Sequence, residues 1–328
     1  MGRRARSLVT ADPSTAQSTM SEAILFPGQG AQFAGMGKDW VEAHAVARET
    51  FEQADEVLGF PLSQTCWTES EEVNRTDIAQ PGIFTTSVAI LRTLRSLGQA
   101  PKSIPLTAGL SLGEYSALWL AGALSFEDGL RLVRLRGEAM QAAAEATPSG
   151  MLSLVGADLE KAEALAQVGS KGGICQVANV NAPGQIILSG ELGALDAVES
   201  AAKEHGVRRV RRLVVAGGFH SECMRPAADK LEAALAQTAI APPQIPVISN
   251  VDGQWASEPD QIRSNLARQV CSSVLWEQSM ALALSQGVRQ FLEPGPGTVL
   301  GGLMRKIDPE AVVRSTATPA DLATGTQA

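Results

Sequence analysis

Histidine and cysteine are scarce in this chain, with three and four among 328 residues. Cys66, Cys175, Cys223 and Cys271 lie far apart and form no C-x-x-C pair, which argues against a disulfide framework or a zinc knuckle and fits a reducing, cytoplasmic setting. No apolar run approaches the ~18 residues that a membrane span needs, so no membrane partner is expected. Basic charge is also short: 27 Lys and Arg against 35 Asp and Glu leave a net −8, and phosphate neutralisation needs the opposite, which argues against nucleic acid. What is present, 45% hydrophobic residues and 19% charged, is a globular composition long enough for one large domain and a smaller one.

Residues 1–20 stand apart, basic at Gly2-Arg3-Arg4-Ala5-Arg6 and then rich in Ser, Thr and Ala with one acid, Asp12. An Arg- and Ser-rich, acid-poor start resembles an organellar transit peptide. The preferred reading is a disordered extension, or an overlong start with Met20 as first residue. Beyond it, Ala23-Ile24-Leu25-Phe26 reads as a buried strand, and helical apolar spacing recurs at 41–58, 83–97 and 114–120 with strands between, an alternating α/β pattern. From 150 to 217 the order becomes strand, helix, strand, strand, helix, strand: 151–155, 159–168, 174–179, 185–188, 192–205 and 207–215. That is the split βαβ order of a ferredoxin-like module. The expected organisation is therefore a large α/β domain over 21–149 and 218–310, a small subdomain inserted at 150–217, and a flexible tail at 311–328.

Gly109-Leu110-Ser111-Leu112-Gly113 follows the apolar Leu106-Thr107-Ala108 and opens a helical run, the strand, sharp turn, helix context of a nucleophile elbow. A serine needs a base, most often histidine. His44 and His205 sit on polar helix positions, leaving His220, in a loop that follows a strand, as the best base available. In the helix from Ser125 to about Ala144, Gly129, Leu132, Val133, Met140 and Ala143 share one face with Arg136 at its middle. An arginine in an apolar stripe needs an anion, and two readings stand level: an internal salt bridge, or a bidentate grip on a substrate carboxylate. The loop Phe26-Pro27-Gly28-Gln29-Gly30-Ala31-Gln32 fails as a phosphate cradle, because Phe33 replaces the third fingerprint glycine and Asp39 follows Gly37-Lys38. Its amides could instead supply half of an oxyanion hole. Glu293-Pro294-Gly295-Pro296-Gly297 reads as a structural turn.

Seven collinear stretches carry a family resemblance: residues 26–32, 109–118, 132–141, Asn181-Ala-Pro-Gly-Gln185, Phe219-His-Ser221, Ser249-Asn-Val-Asp-Gly253 and 293–300. Over Ile24 to Ile307 the chain resembles the malonyl-CoA:acyl carrier protein transacylases. The resemblance implies a hydrolase-like large domain with a parallel sheet and a ferredoxin-like insert. It also implies that malonyl passes from malonyl-CoA to the carrier's phosphopantetheine thiol by way of Ser111, in fatty acid biosynthesis, with no metal or redox cofactor. Under it His220 is general base and acid, Arg136 clamps the malonyl carboxylate, the amides of Gln29 and Leu112 form the oxyanion hole, and a backbone carbonyl at Gln269 orients His220.

Two positions bear on selectivity. Leu110 stands where the family usually carries histidine before the nucleophile, which puts rate or acyl selectivity in question. Phe219 beside His220 goes with malonyl in related polyketide acyltransferases, where Ser goes with methylmalonyl. Arg208, Arg209, Arg211 and Arg212, on the approach to His220, are candidates for docking CoA phosphates or an acidic carrier, with solvated edge-strand arginines as the plain alternative. A polyketide-pathway acyltransferase, an acyl hydrolase using the same Ser-His pair, and a non-enzymatic binding module remain as competing readings.

Overall fold

The computed structural model describes residues 21–322; the expected extension at 1–20 and the last six residues lie outside them. β1 (Ala23–Phe26), α1 (Lys38–Ala43), α2 (Ala45–Leu58), α3 (Leu62–Trp67), α4 (Thr76–Ser96), β2 (Thr107–Gly109), α5 (Gly113–Leu120) and α6 (Phe126–Ala146) come first. The next stretch holds β3 (Ser149–Val155), α7 (Leu159–Gly169), β4 (Cys175–Ala182), β5 (Gln185–Glu191), α8 (Leu192–Ala201) and β6 (Arg209–Arg212). Then follow α9 (Arg225–Gln237), β7 (Val247–Ile248), β8 (Trp255–Ala256), α10 (Pro259–Gln269), α11 (Trp276–Ser285), β9 (Gln290–Glu293), α12 (Val299–Ile307) and β10 (Val312–Ser315).

Six strands form one sheet in the order β10-β9-β1-β2-β7-β8, parallel except for β8. All four residues of β1 are buried, as a strand covered on both faces requires. The second sheet is antiparallel, β4-β5-β3-β6, and sits apart from the first. Its two-residue alternation sorts its faces. Leu152, Leu154, Ile186 and Leu188 pack with Leu165, Leu195 and Val198 of α7 and α8, whereas Met151, Ser153, Ile187, Arg209 and Arg211 face a cleft shared with the large unit.

The helix expected over 41–58 is broken in two at His44 and the one expected over 192–205 ends at Ala201; three further departures carry consequences. The helix expected from Ile83 begins at Thr76, although Pro81 lies inside it. Proline leaves the carbonyl four residues back without its donor; Arg134 Nη1 fills that place at 2.5 Å from Asp77 O. Arg134 is therefore a helix-to-helix brace. The last strand of the insert shrinks from 207–215 to Arg209–Arg212, because only these residues pair with β3. The tail expected at 311–328 begins as structure: β10 pairs with β9 over Val312 to Ser315, Arg314 bonds Glu22 at 2.8 Å, and Trp40 Nε1 donates to Ala317 O at 3.0 Å. Ending the chain at Ala311 is expected to lower stability by at least about 2 kcal/mol, since it exposes the β9 edge and orphans a buried indole N–H. An unchanged urea midpoint would show that β10 contributes nothing.

Candidate active site

Phe26 at the end of β1 lies opposite Gly109 at the end of β2, so the turns that leave the two strands meet. They meet closer than side chains permit. A Cβ on Gly28 would stand 2.3 Å from Leu110 O, one on Gly113 2.2 Å from Phe26 O, and one on Gly109 1.9 Å from the Gly113 carbonyl carbon. The turn is pinned from a third strand: beyond β7, Asn250 Oδ1 accepts from Ser111 N at 2.6 Å and its Nδ2 donates to Gly109 O at 2.8 Å. Ser111 is thereby held at φ 52°, and His220 at φ 59°; among the described residues these are the only two non-glycines in that region. Strain of this kind, roughly 1–3 kcal/mol per residue, persists only where the surroundings enforce it.

Ser111 Oγ is 2.8 Å from His220 Nε2, and His220 Nδ1 is 2.8 Å from the carbonyl oxygen of Gln269, the last residue of α10. A carbonyl only accepts, so Nδ1 carries the proton and Nε2 turns its lone pair to the serine. Burial, with Arg136 nearby, pushes His220 down to about 4, so the ring is neutral at pH 7 and free to take a proton. His44 rests half-buried against Trp40 and His205 lies in the turn after α8; neither lines the cleft.

Arg136 is 1% exposed and, among the described residues, has no carboxylate partner within ion-pair distance. The salt-bridge reading is thus overturned. Its partners are neutral: Nη1 donates to Gln80 Oε1 at 2.7 Å, and Nη2 to Gln269 Oε1 at 3.0 Å and to Ser111 Oγ at 3.1 Å. Its Nε makes no hydrogen bond among the described residues. Gln80 reaches it because α4 starts two turns earlier than the sequence indicates. Gly137 allows the helices this close, since a Cβ there would come within 2.6 Å of Thr76 O.

The backbone N–H groups of Gln29 and Leu112 have no acceptor among the described residues, so both can receive a ligand oxygen. A cleft of about 1040 Å³ between the two units has a lining that includes Gln29, Leu110, Ser111, Arg136, Phe219 and His220. Leu110 is 9% exposed and belongs to an apolar cluster with Ala182, Val274 and Trp276. Of the four arginines, Arg209 and Arg211 face the cleft, Arg212 turns to Asp196 and Glu199 of α8, and Arg208 precedes the strand without lining the cleft. Strand alternation thus brings two of the four expected docking arginines, Arg209 and Arg211, to the cleft.

Sequence reasoning missed Gln80, Asn250, Glu114 and the side chain of Gln269. Glu114 is 2% exposed; burial pushes its carboxyl up to about 7, against hydrogen bonds from Asn250, Gln269 and Ser249 that favour the anion. A charged residue in an otherwise apolar helical run, as at Arg136, was the signal available for Glu114. The cysteines are not rival nucleophiles, for all four are free and buried, and burial pushes Cys271 up to about 11.

A serine facing the lone pair of a neutral histidine is equipped to exchange acyl groups between nucleophiles, and the protein is an acyltransferase. Residues 24–302 match the acyl transferase domain family. Malonyl CoA-acyl carrier protein transacylase of Bacillus subtilis (strain 168) is 44% identical over 291 residues, 87% of this chain and 90% of that protein. The one of Escherichia coli (strain K12) is 37% identical over 286 residues, 87% and 92% of the two chains. A malonyl-transacylase solved in complex with a type II polyketide synthase acyl-carrier protein superposes with a TM-score of 0.88 at 38% identity, covering 93% of this chain and 98% of that one. The malonyl CoA-acyl carrier protein transacylase of Clostridium perfringens gives 0.88 at 38%, covering 93% and 96%. The chain belongs to the malonyl CoA-acyl carrier protein transacylase family.

The histidine makes a pH prediction. Only its neutral form can accept the serine proton, and its folded value lies below the ordinary 6.5. The ascending limb of acylation kcat/KM against pH is therefore expected well below pH 6, with the histidine still unprotonated at pH 5.5. A limb centred at 6.5 would mean that the ring is neither desolvated nor under the influence of Arg136.

Proposed function

We propose that the protein transfers the malonyl group from malonyl-CoA to the phosphopantetheine thiol of acyl carrier protein through a malonyl-serine intermediate. One observation carries this: a buried guanidinium with no carboxylate in contact among the described residues, 3.1 Å from Ser111 Oγ. Such a group is a receptor awaiting an anion, and malonyl offers a carboxylate where acetyl offers a methyl.

In the first half-reaction His220 Nε2 takes the Ser111 proton as Oγ attacks the thioester carbonyl, and the amides of Gln29 and Leu112 receive the negative oxygen. The tetrahedral species expels CoA thiolate, which takes the proton from His220. In the second, His220 deprotonates the carrier thiol, the sulfur attacks the malonyl ester, and Ser111 leaves with the proton. The Gln269 carbonyl holds the ring in the required tautomer throughout. Each half exchanges one ester for another with no net redox change, so neither a metal nor a redox cofactor is called for. Exclusion of water from the acyl-serine matters more than driving force. Phe219 and Leu110 form apolar walls of the acyl site; with Leu110 among apolar neighbours, the missing family histidine is not a base this chemistry needs.

The strand order βαββαβ with β6-β3-β5-β4 pairing supports a ferredoxin-like description of the small unit, and the elbow on a parallel sheet supports a hydrolase-like large one. Four free cysteines support a cytoplasmic setting, and fatty acid synthesis is the proposed pathway. The solved relative bound to a polyketide synthase carrier favours a polyketide pathway as the second reading.

Incubation with each thioester and intact-mass analysis is expected to give a malonyl adduct on Ser111, little acetyl adduct, and the reverse preference in Arg136→Ala. Rapid hydrolysis without transfer to carrier would replace transacylase by hydrolase. Arg209→Glu with Arg211→Glu is expected to raise KM for the carrier about tenfold, and Arg208→Glu to change it less than about twofold, since only charges facing the cleft steer an acidic partner. Equal effects at 208 and 209 would remove the cleft-facing docking surface.

A further inference from the structure

Glu114 lies behind the site and does not line the cleft. Its Oε2 accepts from Gln269 Nε2 at 2.7 Å and from Asn250 N at 3.1 Å. The second Nε2 hydrogen of Gln269 goes to Ser111 O at 3.1 Å, and its Oε1 accepts from Arg136 Nη2 at 3.0 Å. Every polar function of this amide is therefore committed, and its two ends are not interchangeable. Glu114 Oε2 accepts from two N–H groups, and so it draws the NH2 end of Gln269 toward itself and turns the amide oxygen toward Arg136.

We propose that Glu114 is a positioning residue for carboxylate recognition: through the Gln269 side chain it fixes the acceptor that braces Arg136, and so the direction in which the guanidinium faces the acyl group. The inference rests on the carboxylate-clamp reading above. Its force is greatest in the acyl-enzyme, where Ser111 Oγ becomes an ester oxygen and a poorer acceptor. Gln80 Oε1 and Gln269 Oε1 then remain to hold the guanidinium from two sides. With an amide in place of the carboxylate at 114, the neighbour can donate as well as accept. The flipped Gln269 amide, which sets its oxygen against Ser111 O and its NH2 against Arg136 Nη2, then loses its strongest opponent, and the Nε2 end is held less firmly in place.

Coulomb attraction argues the other way. Removing a negative charge behind Arg136 would, by itself, strengthen its hold on a substrate carboxylate. The two effects have opposite signs, which makes the test decisive.

The measurement is kcat/KM for acylation of the full chain by malonyl-CoA and by acetyl-CoA. Glu114→Gln is expected to lower the malonyl-to-acetyl preference about tenfold, the scale of one lost charged hydrogen bond, with the acetyl value changing less than about threefold. Gln269→Met, which keeps the backbone carbonyl facing His220, is expected to shift the preference alike, and the double variant no further, because both cut the same connection. Parallel loss with both thioesters, an unchanged or increased preference, or additive losses in the double variant would overturn the proposal. Should Glu114→Gln fail to fold, Glu114→Asp, which keeps the carboxylate but withdraws it from Gln269, decides by the same ratio. Arg136→Ala separates the levels: if it keeps the malonyl preference the clamp reading itself falls, and if it loses that preference while Glu114→Gln keeps it, only the positioning role falls.

Discussion

Backbone packed against backbone, closer than a Cβ allows, is the constraint on which the rest of this molecule depends. Gly28, Gly109 and Gly113 let the turns after β1 and β2 interpenetrate, and Gly113 seats the start of α5 against the end of β1. From that contact follow the left-handed backbone of Ser111, the nearness of the Gln29 and Leu112 amides, and the placing of Glu114 one turn behind the nucleophile. The contact is stabilised across the sheet by Asn250, whose amide satisfies one donor and one acceptor that a turn this sharp would leave unpaired. Ser111 is therefore set by three neighbouring strands of one sheet, at their carboxyl ends, where parallel α/β sheets place ligands.

On this frame sits an uncommon electrostatic arrangement. A guanidinium stripped of water costs several kcal/mol unless it is repaid in hydrogen bonds, and here two glutamine oxygens and a serine hydroxyl supply them. A carboxylate in direct contact would satisfy the charge better, and would also quench it. Amide oxygens hold the group in place while leaving its attraction for an anion largely intact. The same positive charge helps keep His220 neutral, so the base and the anion receptor reinforce each other. Gln269 joins the two, with its carbonyl on the histidine and its side chain on the arginine.

The small unit contributes the opposite wall. One face of its sheet is covered by α7 and α8; the other carries Met151, Ser153, Arg209 and Arg211 across the cleft from Ser111. Two-residue alternation in a strand of only four residues thus converts a run of arginines into one pair facing the cleft and one arginine held by acids on α8.

Much of this was legible in the chain. The elbow, its flanking strand and helix, the order of the insert and the isolation of Arg136 in an apolar stripe are local patterns, set by side-chain periodicity and by what glycine alone permits. Helix α4 was misread because Pro81 is a local stop signal, overridden by Arg134 from a helix 57 positions away. β10 was missed because an edge strand of four half-buried residues has little pattern, and only pairing with β9 orders it. Composition and spacing singled out Ser111 in a sharp turn, His220 as the best base available and Arg136 as a cation in an apolar stripe. Tertiary structure alone decided that the cation meets amides and not a carboxylate, and that Asn250, Gln80 and Glu114 belong to the site, because those contacts join residues that no sequence period connects.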